Sequence, residues 1–227
     1  MKKNLILCTA IVISSVILAF GMGKITNSES TVSVRGLAER EVDADMAVWK
    51  LSFSVGSNNL NELQAQILSS TDKEKNFLEN YNRSAADYTV LSPEITDATV
   101  SMYSDKNRSF DYVAKQTILI RSSNVKAVKT AAENTLTLLG EGVSVTSEWD
   151  GQIKYYFNGL NDIKPEMIAE ATENARKAAE QFAHDSNCKV GKIKNATQGL
   201  FSIDDAAPGL EYKKNVRVVT TVVYSLK

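Results

Sequence analysis

One stretch limits this chain more than any other: NDIKPEMIAEATENARKAAEQFAHDSNCKVG, residues 161–191. It reads as a single long helix. Pro165 suits a first helical turn, where its missing N–H costs nothing, and Glu166 suits the positive helix end. Apolar residues recur as Met167, Ile168, Ala171, Ala175, Ala178, Ala179, Phe182 and Ala183, which is helical spacing. At about 1.5 Å per residue, a helix over 165–186 is roughly 33 Å long. Its inner face is mostly alanine. Such a face brings little apolar area but lets the helix axis come close to whatever it covers. The expected neighbour is a sheet; a cofactor face is the alternative reading.

The rest of the chain reads as strands and helices that could supply that sheet. Val32 and Val34 alternate with polar residues until Gly36 interrupts, and a strand glycine marks a bulge or a close backbone approach. Trp49, Leu51, Phe53 and Val55 alternate with Lys50, Ser52 and Ser54, the pattern of a half-buried strand. The two runs are expected to pair as a hairpin turning at 43–45. Asn58 or Asn59 caps a helix to about Tyr81, with Leu60, Leu63, Ile67, Phe77, Leu78 and Tyr81 as its stripe. Its middle, Ser69-Ser70-Thr71-Asp72, is weak helix former, so a bend or fraying is expected. Residues 82–92 read as a connection. Residues 95–103 and 112–121 read as a second hairpin joined by a polar loop at 104–108. A second helix follows over 124–139, capped by Asn124 and ended by Gly140. Val143, Val145 and Ser147 lead to Trp149. Asp150-Gly151 then signals a hairpin into a strand over 153–157. After the alanine helix come a strand over 190–201, an exposed loop over 202–214 and a last strand over 216–226.

This order predicts an α+β fold: antiparallel β-hairpins forming a sheet, with three α-helices packed on it, after an N-terminal hydrophobic helix. No Pro-, Gly- or Ser-rich linker divides the body. Residues 31–227 therefore read as one domain, with two lobes as a variant of that reading.

The N-terminus addresses the compartment. Met1-Lys2-Lys3-Asn4 is a short basic end, residues 5–20 are apolar apart from Thr9, Ser14 and Ser15, and Gly21-Met22-Gly23 follows. This is an export signal. Ala19-Phe20-Gly21 spaces small residues correctly but is a poor Ala-x-Ala site. The apolar run is close to the ~20 residues that span a bilayer. Residues 1–23 are thus a signal peptide or an N-terminal membrane anchor, and 24–30 a polar spacer. With the positive end inside, the body is expected outside the cytoplasm in both cases. Cys8 lies in the leader, so Cys188 is the one cysteine of the exported body and an intramolecular disulfide is not expected. The net charge is −1, which gives nucleic acid no electrostatic handhold. Three glycosylation-type triplets begin at Asn82, Asn107 and Asn195; such triplets arise often by chance and carry no weight.

Three segments resemble one family. The run Ala171, Ala175, Ala179, Ala183 with Gly191 opening a strand is similar to the third helix of the SIMPL domain family. TVSVRGLAEREVDADMAVWKLSFSV, residues 31–55, resembles that family's opening hairpin, and VRVVTTVVYSL, residues 216–226, its close. These are packing patterns and bring no catalytic residue with them. The resemblance implies a periplasmic protein that self-assembles, with some relatives linked to oxidative or envelope stress.

Chemistry is sparse. His184 and Cys188 are four apart near a helix end, so both can face one side. Two ligands are too few for zinc. A Cys–His nucleophile pair usually comes from separate segments. A helix-end histidine beside an ordinary thiol is the plainer reading. Asp45 belongs to the family-like opening and reads as a turn cap. Asp204-Asp205 is a weak calcium candidate and more simply a solvated loop. There is no Gly-x-Ser-x-Gly elbow, no phosphate-cradling glycine loop and no dinucleotide fingerprint. Catalytic, cofactor and metal residues are therefore all given as none, with no cofactor. The expected function is an envelope interaction or structural protein acting as a homo-oligomer, with the membrane reached through its N-terminal segment. The alternatives are a carboxylate-dependent hydrolase of envelope polymers and a periplasmic binder of a small molecule or peptide.

Overall fold

The structure is a computed structural model that describes Ser14 and residues 30–81, 87–100, 109–146 and 151–227. The fold is α+β. The strands are β1 (Thr31–Asp43), β2 (Met46–Ser57), β3 (Tyr88–Val90), β4 (Glu94–Asp97), β5 (Tyr112–Ser122), β6 (Lys154–Tyr156), β7 (Val190–Gln198), β8 (Ser202–Asp205) and β9 (Lys213–Leu226). The helices are α1 (Leu60–Asn80), α2 (Val125–Glu133), α3 (Leu136–Gly140) and α4 (Leu160–Asp185). There are two sheets among the described residues, where one was expected. A four-stranded sheet has the order β1-β9-β7 with β8 on β9, and a five-stranded sheet the order β3-β5-β2-β6 with β4 on β5.

The chain divides into two compact units. The first comprises Met1–Ala38, Pro165–Phe201 and Arg217–Lys227, the second Glu39–Lys164 and Ser202–Val216.

In the first unit the alanine helix behaves as its spacing predicts. Met167, Ala171, Ala175, Ala179 and Ala183 are buried, each four residues after the last. Ala175 and Ala179 pack with Val32, Val222 and Tyr224 of the sheet. Gly36 makes the close approach possible. A Cβ there would stand 1.8 Å from the Ala171 carbonyl oxygen and 2.4 Å from the Ala175 nitrogen. Two expected members of the ridge are not on it: Ala178 and Phe182 are exposed, the latter by 51%. The strict four-residue ridge leaves their azimuth outside. The helix also begins five residues before Pro165, so the proline lies inside it. It ends on Asn187 at φ 54°. The Cys188 N–H donates to the Ala183 carbonyl (2.8 Å) and the Asn187 N–H to that of His184 (3.1 Å), a left-handed cap that satisfies end carbonyls. β7 runs antiparallel to β9, with Lys192, Ile193 and Lys194 exposed along it. Lysines on an edge strand discourage pairing with another chain.

In the second unit β2 and β5 are antiparallel over their whole length, from Ala47↔Ser122 to Ser57↔Tyr112. Trp49, Leu51 and Phe53 from β2, with Ile118 and Ile120 from β5, face Phe77 and Leu78 of α1 and Leu138 of α3 in one core. Five further expectations change here. First, β1 and β2 are not a hairpin, because they belong to different sheets. Their link is held elsewhere, the Ala44 N–H by the Tyr212 carbonyl (2.8 Å) and the Asp45 N–H by that of Tyr156 (2.9 Å). Second, the helix expected over 124–139 is two, since Asn134 and Thr135 turn their side chains onto the Thr130 and Ala132 carbonyls (2.7 and 3.1 Å). Such bonds compete with helix continuation. The left-handed glycine that ends α3 is Gly142, φ 83°, not Gly140. Third, the connection after α1 contains β3, and its Tyr-Thr-Val is strong strand former. Fourth, β6 pairs with β2, and among the described residues 143–146 Val145 also bridges β2, at Phe53. Fifth, the loop expected over 202–214 contains β8 and the start of β9.

The leader apart from Ser14, with Cys8, residues 101–103 of the expected second hairpin and its loop at 104–108, and Ser147, Trp149 and Asp150 lie outside the described residues. None of the described helices is long and apolar enough to cross a membrane.

Candidate functional site

The site grows from one side of α1. Asn59 caps this helix, its side-chain oxygen accepting from the Asn61 N–H (2.8 Å). The helix runs unbroken through the Ser69–Asp72 stretch expected to fray. Ser70 and Thr71 are buried there, and tertiary burial outweighs their weak propensity. The stripe over-supplies apolar residues, however. Leu63, Phe77 and Leu78 are buried, while Leu60, and Leu68 next to the expected stripe, stay more than half exposed.

Those exposed side chains are one wall of an open apolar groove of about 560 Å³. The wall is Leu60, Leu63, Ile67, Leu68, Thr71 and Lys75 of α1; Val90, Leu91, Pro93 and Ile95 face it from the strand side. β3 and β4 lie end to end along one edge of β5, pairing with residues 118–120 and 112–115. Between them the Leu91 N–H donates to the Thr117 carbonyl (3.0 Å). Buried Gln116 closes the floor by donating its Nε2 hydrogen to the Leu91 carbonyl (2.6 Å). The kink at Leu91–Pro93 is thus fixed from below and the apolar side chains are left facing the helix. The volume falls within the range of ligand sites, about 300–1,000 Å³.

Beyond Thr71 on the same side of α1 lies Glu74, seven residues after Ile67. It is fully buried, and neither carboxyl oxygen has a hydrogen-bond partner. Burial pushes its pKa up to about 8, because removing water penalises the charged form. A protonated, unpartnered carboxylic acid therefore sits inside the α1–sheet packing at neutral pH.

Two smaller cavities of about 420 and 410 Å³ lie near Tyr155 and near Tyr212. The first is lined by one carboxylate, Glu211, and the second by one, Asp43. Burial, then Glu211, raises the Tyr155 hydroxyl above its ordinary range. Lys129 stands 4.2 Å above the Tyr212 ring, a cation–π contact.

The residues weighed for chemistry take structural places. His184 is exposed, its Nδ1 3.3 Å from Asp185. Cys188 is half-buried, with its thiol 3.4 Å from the Ser186 carbonyl. Asp205 pairs with Lys214, and Asp204 is exposed on the same short strand. Asp45 does more than cap its own turn. Its carboxylate accepts from the Asn158 N–H (2.8 Å), the Asn158 Nδ2 hydrogen (2.8 Å) and the Gly159 N–H (2.9 Å). It ties the β1–β2 link to the approach to α4, with both oxygens engaged. Among the described residues no three His, Cys, Asp or Glu gather as a metal set.

Sequence reasoning missed the groove and Glu74. The groove joins consecutive elements, α1 and the β3–β4 edge, whose pairing on β5 no local pattern announces. Glu74 had a signal, since it stands three residues before Phe77 on the same stripe as Ile67, but Lys73-Glu74-Lys75 reads as a solvated face.

Helices laid on antiparallel sheets, with an alanine ridge seated over a strand glycine, define the class of α+β protein this is. The family that matches is SIMPL, described as a protein of unknown function (DUF541), over residues 32–224. The chain belongs to the SIMPL family. A search of the curated proteins found no match.

Proposed function

We propose that this protein is an exported, envelope-located interaction protein without a catalytic role, acting as a homo-oligomer through the groove beside α1. The observation that carries the reading is the apolar groove along the β3–β4 edge, with Leu60, Leu68 and Ile95 each more than half exposed. Apolar side chains gathered in one place on a surface mark contact sites. Export rests on the Lys2-Lys3 end and the apolar run after it. Residues 1–23 act as an inner-membrane anchor, or as a signal peptide whose removal leaves the body in the periplasm. Assembly and a part in envelope or oxidative stress follow from the family resemblance.

A second reading is a periplasmic binder of an apolar small molecule or peptide. The groove volume and its few polar groups, Gln64, Thr71, Lys75 and Gln116, favour it.

Size-exclusion chromatography with light scattering on residues 24–227 tests the first reading. The wild type is expected to run as an oligomer and the double variant Leu68→Glu, Ile95→Glu as a monomer. A monomeric wild type refutes assembly and leaves the binder. An oligomer untouched by the double substitution places assembly on another surface and removes the groove from it.

A further inference from the structure

We propose that α1 is a proton-coupled latch on the five-stranded sheet, closed while Glu74 carries its proton and released as that carboxyl ionises. The geometry sets the condition. Glu74 has no exposed surface and no hydrogen-bond partner for either oxygen, so its charged form has neither water nor a donor while α1 is seated. The neighbours that α1 packs on are chiefly β2, β5 and α3. The buried side chains of β2 and β5 include Ala47, Trp49, Leu51, Phe53, Ile118 and Ile120. The charged residues of those strands, Lys50, Lys115 and Arg121, fall on the alternate positions, which face away. No residue of α3 is charged. On α1 itself Lys73 reaches out to the Glu141 carbonyl (2.7 Å) and Lys75 to Asp72 (3.3 Å). Burial alone raises the Glu74 carboxyl.

Release is local because α1 is held on one side only. The groove leaves its other flank open, and Ser69-Ser70-Thr71-Asp72 in its middle gives little intrinsic helix stability. Opening exposes the carboxyl to water, where it ionises with an ordinary value near 4.5. The closed state holds the proton up to about pH 8. Between these values the open form binds fewer protons than the closed one. Rising pH therefore favours opening, about tenfold per pH unit. Above about pH 8 both forms are ionised and the effect levels off. Below the lower value both are protonated and the latch is tightest. The groove loses its helical wall as the latch opens, so its shape becomes pH-dependent whatever occupies it.

Amide hydrogen exchange on the full chain tests this. Rates in wild type are divided at each pH by those in Glu74→Gln, which cannot ionise and cancels the intrinsic pH dependence of exchange. For peptides within residues 60–80 the ratio is expected to climb about tenfold per unit between pH 5 and 8 and then flatten, while for residues 112–122 it stays constant. If Glu74→Gln does not fold, Glu74→Leu serves as the reference. A flat ratio over 60–80 overturns the latch. A ratio that climbs equally in both segments also overturns it, because that is unfolding of the whole unit and not release of α1.

Discussion

Adding one methyl group at Gly36 tests the packing of the first unit most sharply. Gly36 has no positive φ, so a side chain is excluded by space and not by backbone conformation. The new Cβ would meet the Ala171 carbonyl oxygen at 1.8 Å, the Ala175 nitrogen at 2.4 Å and the Ala175 Cα at 2.9 Å. All three are backbone atoms of α4, so no rotamer change relieves the clash. Ordinary contact begins near 3.4 Å, and α4 would have to lift from β1 by well over an ångström. The lift would open the seam where Ala175 and Ala179 meet Val32, Val222 and Tyr224. Overpacking of a rigid core costs about 1–3 kcal/mol and sometimes more. The immobility of the backbone atoms puts Gly36→Ala at or above the upper end. Against this, alanine gains roughly 0.4–1 kcal/mol by restricting the unfolded chain. The net expectation is a loss of about 2–3 kcal/mol, a fall in Tm of roughly 4–12 °C for a domain of this size. Thermal melting by circular dichroism measures it. Gly140→Ala is the control, since a Cβ there meets nothing within 4 Å, and its melting point should equal that of wild type or lie up to about 4 °C above it. A Gly36→Ala protein that melts with the wild type, or above it, would falsify the close approach of α4 to β1.

Two further predictions concern burial and hydrogen bonding. Ala175→Leu and Ala179→Leu, on the buried ridge, should each lose about 1–3 kcal/mol in urea unfolding. Lys177→Leu, whose side chain is exposed beside Glu173, should change little; three equal effects would mean that the buried face of α4 is assigned wrongly. Asp45→Ala removes the acceptor of three donors, two on exposed Asn158 and one on half-buried Gly159, and should cost about 1 kcal/mol, with Asp45→Asn recovering part of it. An alanine variant as stable as wild type in the same urea titration would show that the carboxylate does not hold the approach to α4.

How far the fold was legible depends on how locally each part is specified. The alanine ridge was legible because four-residue spacing and a strand glycine are written in single segments, and they fit each other through space. Strand existence was legible from alternation, as in Trp49, Leu51 and Phe53. Strand pairing was not. Two strands separated by Ala44-Asp45 look like a hairpin, yet β1 finds β9 nearly the whole chain away and β2 finds β5. The turn residues alone do not reveal this, because the Ala44 and Asp45 N–H groups are satisfied by Tyr212 and Tyr156, partners more than a hundred residues distant. The split of α2 from α3 was foreshadowed by Asn134-Thr135, whose side chains compete for backbone carbonyls, but the helical stripe through Leu136 and Leu139 concealed it. Both leucines prove largely exposed.

The candidate site was the least legible part, and Glu74 shows why. A sequence reports which residues share a helical face; it does not report how deep that face lies. The stripe Leu63, Ile67, Thr71, Glu74, Leu78 is continuous on α1, yet its members meet different surroundings. Ile67 and Thr71 look into the groove, whose far wall comes from residues 90–95. Glu74 lies where the packing closes over it. An ordinary surface glutamate and a buried one are the same letter between the same two lysines. Burial there comes from the elements that α1 packs on, chiefly β2, β5 and α3, which lie before and after it in the chain. Reading α1 alone therefore yields neither the groove nor the depth of the acid.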